Sequence, residues 1–194
     1  MSSESPDARE RKFRARNQIA IVPFENMDFS QFKESLDAAA VICGLDATFH
    51  SDFYLTCDIS LVERKRNQRD AIRVITLIRE QLKEAGRPYY HLVVTNHDLF
   101  ARNLNFVFGL TNWEMGVAIM SIFRLVQWQE DLTPSKMQER IMKEASHEIG
   151  HLRGLSHCER PTCLMAFSNT LEDVDAKLPM PCARCSMRLR VAGK

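Results

Sequence analysis

Residues 147–158 read HEIGHLRGLSHC, and three of the chain's six histidines fall within them. On a helix, His147 and His151 stand one turn apart on the same face, so their imidazoles can converge on one cation. Glu148 points about 100° around the axis. Its longer side chain can reach a water beside that cation without having to ligate it. Gly154 permits the positive φ that reverses a chain sharply, and His157, three residues on, can return as a third ligand. Three neutral imidazoles leave a zinc ion its full charge and one open position, which lowers the pKa of a bound water towards ~7 and polarises a carbonyl. Glu148 would take the water's proton and pass it to a leaving amine. H-E-x-x-H alone leaves surface histidines on a solvated helix as an ordinary alternative. The glycine and third histidine at these offsets favour the metal centre.

Cys158 follows His157 directly, and Cys163, Cys182 and Cys185 complete a C-x4-C then C-x-x-C pattern. Four thiolates so spaced suit a closed, tetrahedral structural zinc, although C-x-x-C also occurs as a redox pair. Two Zn2+ are therefore expected, one reactive and one structural. Four thiolates on Zn2+ carry a net charge of about −2, which Arg153, Arg160, Arg184 and Arg188, near in sequence, could offset. Adjacent Cα atoms lie only ~3.8 Å apart, so Cys158 would pin the backbone that aims His157. The other candidates read as structural: His50, His91 and His97 lack ligand spacing, Cys43 and Cys57 suit a core, and Trp113 and Trp128 suit packing.

These residues need elements to hold them. Thr133–Pro134 is a helix start, because threonine can cap it and proline tolerates its first position. The helix would pack Met137, Ile141, Ala145, Ile149 and Leu152 and stop at Gly154. Upstream, the short apolar runs 19–24 and 91–96 read as buried strands, and 47–57 as a strand with a turn. Residues 105–113 and 116–125 read as two strands joined by a tight turn. Residues 30–45 suggest a helix capped by Ser30. Residues 67–86 suggest an amphipathic helix with a stripe of Ile72, Ile75, Ile78 and Leu82, ended by Gly86 and Pro88. The region after Gly154 has little periodicity, as expected of a lobe stapled by metal more than by a core.

At 194 residues with 45% hydrophobic content the chain can bury a proper core. A formal net charge of +1 argues against a nucleic-acid partner of the zinc-ribbon kind. The densest apolar run, 116–123, is far shorter than the ~20 residues a membrane span needs. The N-terminus is charged and lacks a secretory signal's apolar core, so residues 1–17 read as a mobile arm. With no signal and a late cysteine cluster, the expected location is cytoplasmic. Oligomeric state is not encoded in any of these patterns.

HEIGHLRGLSHC also matches the longer metzincin form, H-E-x-x-H-x-x-G-x-x-H. HEIGHLRGLSHCERPTCLM, followed by MAFSNTLEDVDAKLPMPCARC, resembles the archaemetzincins, metzincins with a second zinc on four cysteines. The close resemblance covers about 147–185, and the strands in NFVFGL and SIFRL extend it more loosely. The stretch between Met165 and Cys182 is one residue shorter than the family pattern, a difference in loop length. The resemblance implies an α+β zincin of the metzincin type: a mixed twisted sheet with backing helices, an active-site helix and a small zinc-stapled C-terminal lobe. It implies a single catalytic domain over 1–194, with an upper part at 18–154 and a lower part at 155–194 across a cleft. Met165 matches the Met-turn beneath the three-histidine zinc. Phe108, Gly109 and Leu110 match an edge strand that pairs with extended substrate peptide. Phe167 stands where some metzincins carry a tyrosine that assists the oxyanion, so that donor is missing here. The activity the resemblance implies is that of a zinc metallopeptidase, with aminopeptidase-like cleavage of short peptides as one form of it. The alternative is a zinc-containing peptide- or protein-binding module with negligible turnover.

Overall fold

The interior strands are apolar on both sides, which requires both faces of their sheet to be covered. In the computed structural model, residues 17–25, 27–50, 55, 62–63, 65–84, 90–127 and 132–192 are described. Its main sheet contains β1 (Gln18–Pro23), β2 (Asp46–Phe49), β5 (Tyr90–Thr95), β7 (Gly109–Asn112) and β8 (Val117–Ser121), in the order β2-β1-β5-β8-β7. The first four in that order run parallel, and β7 lies antiparallel to β8 at the edge. A smaller sheet holds β3 (Val62–Glu63), β4 (Gln68–Asp70) and β6 (Leu99–Phe100). The helices are α1 (Lys33–Ile42), α2 (Ala71–Glu84), α3 (Pro134–Leu152), α4 (Leu171–Ala176) and α5 (Ala183–Ala192).

Side-chain alternation divides the core into two layers. Ile19, Ile21, Leu92, Val94, Ala118 and Met120 pack with Leu36 of α1 and Ile141, Ala145 and Ile149 of α3. On the other face, Val22, Val93, Val117 and Ile119 pack with Val74, Ile75, Ile78 and Leu82 of α2. The site-bearing helix α3 is therefore clamped against the sheet along its length. Thr133 caps it, accepting from Lys136 N at 3.1 Å, with Pro134 in its first turn. No helix among the described residues is long and apolar enough to cross a membrane.

Several local expectations are corrected. Ser30 does not cap α1: its N–H instead donates to Asp28 Oδ1 at 2.8 Å, opening a 3-10 turn over Ser30–Phe32. Ile72 is exposed and Val74 takes its place in the stripe, because at about 100° per residue Ile72 points well away from the face shared by Ala71, Val74, Ile75, Ile78 and Leu82. Residues 105–108 are not strand; Val107 makes a lone bridge to Leu99. Pairing of β8 ends at Ser121, and the chain then turns. The lower lobe has more helix than its sequence pattern suggested, in α4 and α5, and α4 carries a capping box between Thr170 and Asp173. Cys57, Trp128 and almost all of the N-terminal arm lie outside the described residues.

Candidate active site

Helix α3 places His147, Glu148 and His151 against the open edge of the sheet, and Gly154 turns the chain out of the helix at φ +81°. That turn brings His157 back: its ring centroid lies 5.3 Å from that of His147 and 4.8 Å from that of His151. One ligand nitrogen from each of the three lies within 4.8 Å of the others. The second nitrogens of two rings are already engaged. His147 Nδ1 lies 3.0 Å from Leu164 O, and His151 Nδ1 lies 2.7 Å from Leu155 O. A carbonyl can only accept, so each Nδ1 carries the proton and each Nε2 presents a lone pair. Those two Nε2 atoms face each other at 3.0 Å. Tetrahedral zinc with Zn–N of about 2.0–2.1 Å places ligand nitrogens about 3.3 Å apart. The donor set fits a zinc ion.

Desolvation favours the neutral form of the imidazoles, including that of the exposed His157. It pushes His147 well below the ordinary histidine value and His151 down to about 4, and it lowers His157, while the Lys177 ammonium acts in the same direction. Burial raises Glu148 to about 8, opposed by a hydrogen bond from Thr111. The Thr111 hydroxyl donates to Glu148 Oε2 at 2.6 Å.

Met165 is fully buried, with its sulfur against Gly150: a Cβ on Gly150 would lie 2.5 Å from Met165 Sδ. The glycine between the two helical histidines thus makes room for the thioether. Cys158 N–H donates to Met165 O at 2.9 Å, closing the loop that runs from the third histidine through the cysteines.

Cys158, Cys163, Cys182 and Cys185 form a second cluster, with all four sulfurs within 4.8 Å of one another. Cys158 Sγ and Cys182 Sγ are 3.9 Å apart. Zn–S bonds of about 2.3 Å place tetrahedral sulfurs about 3.8 Å apart. The Cys185 backbone N–H lowers Cys182 to about 6, whereas burial raises Cys163 and Cys185. Cys182 N–H also donates to Cys163 Sγ at 3.3 Å, a contact that favours thiolate. This donor set also fits zinc. Of the nearby arginines, Arg153 is buried with Nη2 donating to Leu189 O, while Arg160, Arg184 and Arg188 are exposed.

A cleft of about 740 Å³ runs past the histidines, lined by Leu104, Phe106, Gly109, Thr111, Trp113 and Phe167 among others. Trp113 is 66% exposed on this cleft, so it is not a packing residue. It follows the last residue of β7, in the turn that leads into β8. Phe167 stacks edge-on to His157 at 5.1 Å. Of the tentative strand residues, Gly109 and Leu110 belong to β7, whereas Phe108 is buried just before it. His91 is buried in β5, His50 contacts Thr48 Oγ1, and Cys43 is buried with its thiol on Ser146 O. None of these three joins either cluster.

Sequence reasoning missed Thr111, Gly150 and the buried pair Lys177–Glu144, whose Nζ–Oε1 distance is 2.9 Å. A lysine inside a mixed-polarity loop gives no periodic signal, and only the gap of three between Glu144 and His147 placed that carboxylate near the site.

The sequence matches the model of peptidase family M54 over residues 59–191. An archaemetzincin from Pyrococcus furiosus is 31% identical over 182 residues, covering 90% of this chain and 93% of that protein. Another, from Pyrococcus abyssi, is 43% identical over 100 residues, 50% of this chain and about half (53%) of that relative's length. The crystal structure of a zinc-dependent peptidase from Methanocorpusculum labreanum is similar with a TM-score of 0.79 at 26% identity, covering 88% of this chain and 99% of that one. Fold and site together define a zinc metallopeptidase. The chain belongs to the archaemetzincins, peptidase family M54.

Proposed function

We propose that this chain hydrolyses peptide bonds at a zinc ion held by His147, His151 and His157, with Glu148 as general base and then general acid. The observation that carries this reading is the Glu148 carboxyl, buried beside three converging imidazoles and within the cleft lining. Zinc bound there supplies Lewis acidity, which acidifies water and polarises a carbonyl. Burial alone raises Glu148 to about 8, and a zinc cation bound beside it would draw it back to the carboxylate that can accept the water's proton and then give it to the leaving amine. Phe167 has no donor, so no side chain at that position assists the oxyanion. The edge of β7 around Gly109 and Leu110, which no strand among the described residues pairs with, would hold an extended peptide by strand addition.

Cys158, Cys163, Cys182 and Cys185 would hold a second, closed zinc whose role is structural, with Met165 underlying the first. Residues 18–154 and 155–194 then act as upper and lower parts of one catalytic domain. A four-thiolate site suits a reducing compartment, in keeping with a cytoplasmic location. Glu148→Gln keeps the shape of the side chain and removes the base. Zinc content should be unchanged while cleavage of a mixed peptide library falls at least ~100-fold. Undiminished cleavage would remove Glu148 from this role. A wild type that holds zinc yet cleaves no library member would favour a peptide-binding module.

A further inference from the structure

The edge strand does more than border the cleft. Gly109 and Thr111 lie two residues apart on β7, so their Cβ positions share one face of the sheet. That face looks onto Glu148. Thr111 Oγ1 lies 2.6 Å from Glu148 Oε2 and 3.1 Å from the Glu148 backbone O. A hydroxyl has one proton to donate, and the shorter contact assigns it to the carboxylate. The other oxygen, Oε1, occupies the space a side chain at residue 109 would take: a Cβ there would lie 2.5 Å from it. One strand therefore sets both oxygens, the first by a hydrogen bond and the second by an absence of atoms.

Resting on the proposed peptidase reading, we propose that Thr111 is a positioning residue for Glu148, and that Gly109 keeps the seat for its carboxylate open. Helix α3 alone leaves the glutamate's side-chain torsions free. The rotamer that places the carboxyl in the cleft lining is selected by β7, the strand proposed to pair with substrate. Base placement and peptide placement then share one rigid element, which fixes their separation. A misplacement of about 1 Å can cost on the order of 100-fold in rate.

The test uses zinc-loaded full-length chain and a mixed-sequence quenched-fluorescent peptide library. Thr111→Val, which keeps the shape and removes the hydroxyl, should lower kcat about 10–100-fold with KM within about twofold. Thr111→Ser should restore most of the rate, and both should retain the wild-type zinc content. Gly109→Ala should lower kcat in the same manner. A second readout needs no substrate: a double-mutant cycle of Thr111→Val with Glu148→Ala, followed by urea unfolding. The shift in midpoint caused by Thr111→Val should largely vanish once Glu148 is gone. Additive midpoints, or a Thr111→Val enzyme with wild-type kcat, would overturn the positioning role while Glu148-dependent cleavage by wild type leaves the peptidase reading standing. Coupled midpoints in a chain whose wild type cleaves nothing would instead overturn the peptidase reading, and the catalytic meaning of Thr111 with it.

Discussion

At the residue scale, burial does most of the chemical tuning. His151 is brought down to about 4 and His147 and His157 are lowered too, chiefly because a charged imidazole loses its water inside the fold. The linkage has a definite sign. Below pH ~6.5 an unfolded histidine binds a proton that the folded one refuses, so the unfolded state gains protons and folding stability falls. Glu148, raised by burial, binds a proton in the fold and opposes this trend, so urea unfolding of chelator-stripped Glu148→Gln protein should show a midpoint that drops from pH 6.5 towards 4. A midpoint flat across that window would contradict neutral, buried imidazoles. The convergence of His147, His151 and His157 was legible because the helical repeat and the Gly154 turn are local facts. Thr111 was not, since it lies 37 residues from Glu148 in sequence and meets it only through the sheet.

Among the elements, α3 is the beam and the segment 155–166 the bracket. Gly154 turns the chain, His157 returns to the histidine cluster, and Cys158 is tied by its N–H to Met165 O and by its sulfur to Cys182. Cys158→Ser should loosen the four-cysteine site and, through the neighbouring Cα, weaken zinc at the histidines as well. Competition with a chelator should show the reactive zinc leaving at lower chelator concentration than in wild type, and unchanged retention would mean the two sites are merely adjacent. A second joint is the fully buried Lys177–Glu144 pair, which links the residue after α4 to α3. Lys177→Met should cost about 3–5 kcal/mol in urea unfolding, because it strands the Glu144 charge. Lys177→Met with Glu144→Leu should recover much of that loss. A single variant as stable as wild type would show that the pair is not desolvated. Element boundaries were less legible than element types. The strand expected over 105–113 shrinks to β7, since a residue's apolar character reports burial and not whether its backbone finds a partner. Phe106 is packed without being in a ladder, and Phe108 contributes only its carbonyl, which accepts from Ser121 N–H at 2.7 Å.

For the whole molecule, the parallel strands and the helices on both faces follow from continuous apolar runs, and the runs at 19–24 and 91–96 sit where that logic puts them. The order β2-β1-β5-β8-β7 does not follow, because strand neighbours are chosen by crossover packing and not by local pattern. That order brings β7 to the edge, over α3, and so creates a cleft bordered by an edge that no described strand pairs with and by the lobe that carries the four cysteines. On the proposed reading, the molecule is organised around a reactive zinc and a structural one. Zinc stoichiometry by native mass spectrometry, read beside library cleavage for wild type and His157→Ala, tests it most directly. Wild type should carry two zinc ions and cleave peptide, whereas His157→Ala should keep the cysteine-held ion, bind the other weakly and lose hydrolysis. Full hydrolysis by His157→Ala, or two ions held as firmly as in wild type, would contradict it.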